Sequence, residues 1–305
     1  MITVFGSINL DLVTPVARLP GPGETIATKH YDTYAGGKGA NQALAAARAG
    51  AKVTMVGSVG EDDFADMALA PLAEAGVDLA GVVRRPGHTG IAMISVDPSG
   101  ENQIVAANGV NLGSLATQLN GQQAWGTTLL LQMETEPVEN WAAIRAAHER
   151  GVRTILNVAP AAPVPGNVLE ILDVLVVNEL EATWLAAALG TGGNDAMATA
   201  ERIVDAGTGT VIVTLGEAGA IARTADGGWR VGVPPIDVID TVGAGDSFVG
   251  SLAAALDRGY ELPVALHRGA IAGSLACRKL GAQSSIPRAA EIDEWRMLLD
   301  PPEPL

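Results

Sequence analysis

Asp240-Thr241-Val242-Gly243-Ala244-Gly245-Asp246-Ser247-Phe248-Val249-Gly250 joins a strand-like segment to an Ala- and Leu-rich helical one. Gly243, Ala244 and Gly245 let the chain turn sharply and present successive N–H groups where a helix begins. A helix start carries unpaired donors and roughly +0.5 of a charge, so it is a ready anion site, phosphate foremost. Asp246 enters the first turn of that helix, and an anion site has no electrostatic use for a carboxylate. A base that takes the proton from a hydroxyl attacking a phosphoryl group accounts for it. Read alone, the tetrapeptide is equally well explained as a turn followed by an acidic first helical turn.

Two better-known phosphate motifs are excluded. After Gly243-Ala244-Gly245 a dinucleotide fingerprint needs a third Gly or Ala where Phe248 stands, and in Gly36-Gly37-Lys38-Gly39 the Ser or Thr of a P-loop is replaced by Gly39.

Outward from this stretch, short apolar runs alternate with helical patterns. Residues 1–6, 52–58, 128–132, 154–158, 173–177 and 210–214 read as strands. Residues 62–75, 137–149, 179–188, 245–256, 263–279 and about 291–299 read as helices, and 220–233 as a hairpin. Pro71 predicts a kink or a later start for its helix. The alternation predicts an α/β fold, a mostly parallel central sheet with helices on both faces, over residues 1–305 as a single domain. Residues 10–34 and 89–107 have no helical crossover and predict a small antiparallel sheet that covers the active site or a second subunit. Residues 300–305 read as a frayed tail.

The net charge of −15 excludes a broad basic surface for nucleic acid. No apolar run reaches the length of a membrane span, and no signal-peptide pattern precedes the first strand. Cys277 is the single cysteine, which excludes an internal disulfide; it reads as a core thiol, and a cytoplasmic location is expected. His30, His88, His148 and His267 have no metal-ligand spacing and read as structural or surface residues.

Polar groups collect at the ends of successive strands: Asn9 and Asp11, Glu134, Asn178 and Glu181, Thr214 and Gly216, then Asp246. That is the layout of an α/β enzyme crevice. Gly36-Gly37-Lys38-Gly39-Ala40-Asn41-Gln42 is a second glycine turn opening a helix, with Lys38 and Asn41 one turn apart on one face, suited to sugar hydroxyls or simply to a cap and a solvated lysine. Asn178 and Glu181 fit a helix cap as readily as a carboxylate for hydrated Mg²⁺.

Together, Gly36 to Ala43 and Asp240 to Asp246 resemble the two signatures of the PfkB carbohydrate kinases, and the chain is most similar to the ribokinase branch of that family. Gly6-Ser7-Ile8-Asn9, Pro22-Gly23-Glu24-Thr25, Gly100-Glu101-Asn102, Thr214-Leu215-Gly216 and Gly281-Ala282-Gln283 extend the resemblance over nearly the whole length. It implies a ribokinase-like three-layer sandwich with a small β lid formed by about residues 10–34 and 89–107, and a homodimer through that lid. It implies ATP-dependent phosphorylation of the primary hydroxyl of D-ribose, with Asp246 as general base and Gly243, Ala244 and Gly245 shaping the anion hole. Asn9, Asp11, Gly37, Lys38, Asn41 and Glu134 would hold the sugar; Asn178, Thr214, Leu215, Gly216, Glu217, Ala218, Gly219 and Gly245 would line the ATP site. Glu181 would organise Mg²⁺ through water, and Asp240, Val242, Ala276, Lys279, Gly281 and Ser285 would surround K⁺. Two departures are Ala106, where a larger aliphatic residue commonly meets the sugar, and Ala270, where a His or Asn often meets adenine. They leave open another acceptor, such as a nucleoside, 2-deoxyribose or a keto-deoxy sugar acid, and a non-catalytic sensor that kept the fold.

Overall fold

The structure, a computed structural model, describes residues 1–121, 125–190 and 195–305. Its elements run β1 (Ile2–Phe5), β2 (Asn9–Pro15), β3 (Asp32–Gly36), α1 (Lys38–Arg48), β4 (Val53–Gly60), α2 (Asp63–Glu74), β5 (Asp78–Arg85), β6 (Gly90–Val96), β7 (Asn102–Ala107) and β8 (Thr128–Leu131). They continue with α3 (Pro137–Glu149), β9 (Arg153–Asn157), α4 (Gly166–Leu169), β10 (Val174–Asn178), α5 (Glu179–Ala188), α6 (Ala196–Asp205), β11 (Thr210–Thr214), β12 (Ala220–Thr224) and β13 (Gly227–Val231). The chain closes with α7 (Ala244–Asp257), α8 (Leu262–Ala276), α9 (Ala282–Ser285), α10 (Ala289–Trp295) and β14 (Glu303–Pro304).

Among the described residues, ten strands form one sheet in the order β14-β13-β12-β11-β10-β9-β8-β1-β4-β5. From β11 to β5 every pairing is parallel, and β12 to β14 add an antiparallel edge. The central strands are apolar on both faces because each face is covered. Ile2, Val4, Leu130, Ile155, Val176 and Ile212 meet α1, α2, α7 and α8 through Leu44, Leu72, Leu252 and Ile271. Phe5, Leu129, Leu131, Leu156, Val177 and Val213 meet α3, α5 and α6 through Ile144, Leu185 and Ile203. Complete burial of one such side chain contributes about 1.5–3 kcal/mol, so a one-residue register slip, which exchanges the two face sets, is strongly disfavoured. Strand β1 has β4 on one side and β8 on the other. The strand order reverses there, which makes the carboxyl edge beside β1 the expected crevice.

A second, four-stranded sheet, β3-β2-β6-β7, stands apart from the first. Its expected antiparallel character holds only in part: β2 pairs β6 in parallel. Strands β2 and β6 follow β1 and β5, which run the same way in the main sheet, and so leave its carboxyl edge in the same direction. Other differences concern single elements. Strand β5 and helix α6 were not expected. Pro71 lies inside the last turn of α2, which starts directly after the Asp62 cap. The tail is paired: β14 adds to β13, and Leu305 N–H reaches Gly228 O. Cys277 is partly exposed rather than a core thiol. His267 is buried with Nε2 3.0 Å from Leu299 O. No helix among the described residues is long and apolar enough to cross a membrane.

Candidate active site

Helix α7 begins at Gly243, whose φ of 77° is a left-handed conformation; a methyl group there would also stand 2.9 Å from Ala282 Cα. The turn therefore admits glycine and little else. The Ala244 N–H closes it on Thr241 O at 3.2 Å, while Gly245 N–H has no protein acceptor among the described residues. Of Ala244 and Gly245, whose N–H groups the resemblance implies as the donors of the anion hole, Gly245 is the one left open.

One helical position on, the Asp246 carboxylate is 7% exposed. Oδ2 accepts from Asn41 Nδ2 and Oδ1 from Gln42 Nε2, both at 2.9 Å. The two glycine-turn segments, 205 residues apart at Asn41 and Asp246, thus meet on one carboxylate. Burial pushes the Asp246 carboxyl above its ordinary range, against the Lys38 ammonium and the two amide donors, which favour the anion.

Helix α1 starts at Gly37, and the Lys38 N–H donates to Glu134 Oε2 at 3.0 Å. The Ser7 hydroxyl donates to that same oxygen at 2.5 Å and accepts from Gly39 N–H at 3.2 Å, so the loop after β1, the loop after β8 and the start of α1 are tied together. The Lys38 ammonium is held above its usual value, by Asp246 first and then by Glu134, Glu181 and Asp11. Asp11 is pushed up to about 7 by burial, then by Glu134 and Asp246, with Lys38 opposing. These relations place Asp11, Lys38, Glu134, Glu181 and Asp246 in one electrostatic cluster.

Asn9 is 4% exposed, and its Oδ1 accepts from Asn111 Nδ2 at 2.7 Å. Asn111 itself is pinned by Ile8 N–H, which donates to its Oδ1 at 2.9 Å. Across the small sheet Tyr34, Asp11, Ala92 and Ala106 are register partners on successive strands, and so share one face. Ala106, singled out by the sequence, therefore shares a face with the Asp11 carboxylate. Ala270, on α8, is only 4% exposed and belongs to the core.

A cleft of about 210 Å³ runs from this cluster past Lys38, Asn157, Asn178, Glu181, Thr214 and Gly245. Asn178 and Glu181 cap α5 reciprocally: each side chain accepts the other's backbone N–H at 2.8 Å. The cap does not remove Glu181 from the site, because burial raises its carboxyl and both Lys38 and Asp246 act on it. Thr214 ends β11, and Gly216, Glu217 and Ala218 form a single 3₁₀ turn after it, closed by Gly219.

The expected cation loop is built around Asp240, whose Oδ1 accepts from Val242 N–H at 3.0 Å and Oδ2 from Gly281 N–H at 2.8 Å. The Ser285 hydroxyl donates to Ala282 O, and Lys279 Nζ lies 3.7 Å from Glu291. Their side chains are engaged, so any cation held there would rely on backbone carbonyls. Among the described residues no three His, Cys, Asp or Glu side chains converge as metal ligands. Glu181 fits a hydrated Mg²⁺, a hard cation that keeps most of its water, better than a dehydrated one.

Four positioning side chains escaped sequence reasoning: Gln42, Asn111, Gln132 and Asn157. Gln42 had a signal, as the one polar side chain in the Ala-rich run from Ala40 to Ala46 other than Asn41, on a helix whose apolar positions are buried apart from Ala47. The other three are ordinary polar residues: Asn157 ends β9, Gln132 follows β8, and Asn111 lies in a 3₁₀ turn.

The chain matches the model of the pfkB family carbohydrate kinases over residues 1–289. It is 36% identical to the ribokinase of Haemophilus influenzae over 298 residues, 96% of this chain and 97% of the relative. It is 31% identical to a deoxyribokinase of Salmonella typhi over 306 residues, 97% and 99% of the two chains. The ribokinase of Arabidopsis thaliana, solved with ribose and ATP, superposes with a TM-score of 0.87 at 29% identity, covering 97% of this chain and 98% of that one. The chain belongs to the pfkB family of carbohydrate kinases. Within it, the protein is an ATP-dependent sugar kinase of ribokinase-like fold.

Proposed function

We propose that this kinase transfers the γ-phosphoryl group of ATP to the primary hydroxyl of D-ribose, giving D-ribose 5-phosphate and ADP. The observation that carries the reading is the Asp246 carboxylate in the first turn of α7, next to the open Gly245 N–H and held by Asn41 and Gln42. Asp246 takes the proton as the sugar oxygen attacks the γ-phosphorus, the bond to the ADP oxygen breaks, and Gly245 N–H, on the turn set by Gly243 and Ala244, faces the charge on the transferring group. Asn9, Asp11, Gly37, Lys38, Asn41 and Glu134 orient the sugar. Asn41 Oδ1 is buried without a partner, which suits it to accept a sugar hydroxyl. Asn178, Thr214 and residues 215–219 border the nucleotide, and Leu215, which packs on the core, fixes the start of that turn.

Mg²⁺, with Glu181 on its water shell, neutralises phosphate charge when bound, and K⁺ beside Asp240, Val242, Ala276, Lys279, Gly281 and Ser285 adds positive field behind the anion hole. A homodimer through the small sheet is supported by β7, exposed throughout, with Ile104 at 54% and Val105 at 61%. A cytoplasmic setting accords with the single cysteine.

Asp246→Asn keeps the shape and removes the base, so kcat falls by about 10²- to 10⁴-fold while sugar binding persists. Near-normal turnover of that variant would sink the assignment. A second acceptor class, 2-deoxyribose or a nucleoside, is favoured by Ala106 and Ala92, two small side chains on the Asp11 face; it predicts that such an acceptor exceeds ribose in kcat/KM.

A further inference from the structure

Gln42 spends its whole side chain inside the protein. It is fully buried at 0% exposure, as is Gln132, and Asn157 is 7% exposed. The sense of each amide is fixed by a chain that starts at a backbone carbonyl. Val176 O can only accept, so Asn157 donates to it through Nδ2 at 3.1 Å and turns its Oδ1 towards Gln42. Gln42 must then donate through Nε2, which it does to Asn157 Oδ1 and to Asp246 Oδ1, both at 2.9 Å. Its Oε1 is left to accept from Gln132 Nε2 at 2.7 Å. Both amide hydrogens are used and none remains for a ligand. The contact depends on helices α1 and α7 lying close together: a methyl at Gly250 would stand 2.5 Å from Ala45 Cβ and 2.6 Å from Gln42 O.

We propose that Gln42 is a positioning residue for the phosphoryl-transfer step: locked by Asn157 and Gln132, it holds Asp246 Oδ1 and keeps the carboxylate in the anionic, proton-accepting form. The proposal rests on Asp246 being the base. An amide N–H can donate to a carboxylate but gains little from a carboxylic acid O–H, so Gln42 opposes premature protonation of a buried group. The charged groups acting on Asp246 are Lys38 from α1, Glu134 from the loop after β8, Glu181 from α5 and Asp11 from β2. The three carboxylates favour its protonation and Lys38 opposes it. Gln42 and Asn41 are the donors that finish the balance.

The test is the pH profile of kcat at saturating sugar and Mg-ATP, which reports the enzyme–substrate complex and so leaves out the free-enzyme titration of Asp11. Gln42→Met, of similar length and without a donor, should move the acidic limb up by about one pH unit, with kcat recovering on the alkaline side and both KM values little changed. Gln132→Met leaves Asp246 its donor but removes the hydrogen bond that anchors Gln42 Oε1, and should move the limb in the same direction by less; it also serves if Gln42→Met does not fold. Loss of kcat equal at every pH, or a limb unmoved in both variants, overturns the proposal. Asp246→Asn in the same assay separates the two claims. An active Asp246→Asn enzyme removes the base itself, whereas an inactive one beside an unshifted Gln42→Met limb removes only the role of Gln42.

Discussion

The floor of the site and its mouth are both polar, but they are finished to different degrees. On the floor, Gln42, Asn157 and the inner oxygen of Asp246 pair with one another and with a backbone carbonyl, and only Gln132 Oε1, at the far end of that amide chain, lacks a partner among the described residues. At the mouth, Asp11, Glu134, Glu181 and Lys38 crowd charges of which three are carboxylates, and Asn41 Oδ1 and Gly245 N–H stay without protein partners. A completed network fixes geometry, whereas an uncompleted one stores demand that a ligand meets. On the proposed mechanism, the difference separates the residues that would aim the base from those that would receive the sugar and the phosphates.

Lys38 is where the contrast breaks most visibly. Among the described residues it is the one cation acting on this group of carboxylates, so Lys38→Met should lower kcat/KM by about 10- to 100-fold, the range for losing a hydrogen bond to a charged group. Steady-state kinetics at several sugar concentrations check it; a loss confined to kcat would move Lys38 from the mouth to the floor.

Asp11 gives a smaller effect with a definite sign. Its folded-state value of about 7 lies above the ordinary 3.8, so between those limits the folded chain keeps a proton that the unfolded chain has lost. The stability that goes with this proton is fully present below pH 4 and is lost as pH rises through 7. Asp11→Asn should therefore melt with the wild type at pH 4 but above it at pH 8, by about 2–4 °C per kcal/mol of relief in a chain of this size. The sugar KM should rise about tenfold, because a charged acceptor is lost. A melting gap independent of pH contradicts the unmet charge at the mouth.

The mouth was largely legible in the sequence and the floor was not. Lys38, Asn41, Gly243, Gly245 and Asp246 sit in two short glycine turns, and a glycine turn feeding a helix has a local physical meaning. The parallel sheet was legible because strands covered on both faces are apolar throughout. Gln132, Asn157 and Asn111 gain their roles by long-range pairing across separate strands, which no local pattern encodes; Gln42 was visible as a buried-face glutamine but lacked a partner to explain it. Strand β5 was hidden by Asp78, Arg84 and Arg85 at the sheet edge, and β14 by prolines that only an edge strand tolerates. The parallel β2–β6 pairing depends on the direction in which two distant strands leave the main sheet.

The central claim is that the carboxylate where both glycine turns meet is the base for phosphoryl transfer from ATP to a ribose-type sugar. ADP release by the purified protein with Mg-ATP, over ribose, 2-deoxyribose, fructose, keto-deoxygluconate, adenosine and pseudouridine, each with and without K⁺, tests it most directly. The account predicts the highest kcat/KM with ribose and a rise on adding K⁺. Turnover led by another acceptor would shift specificity to the face shared by Asp11, Ala92 and Ala106, and the absence of acceptor-dependent ADP release across the whole panel would contradict the claim.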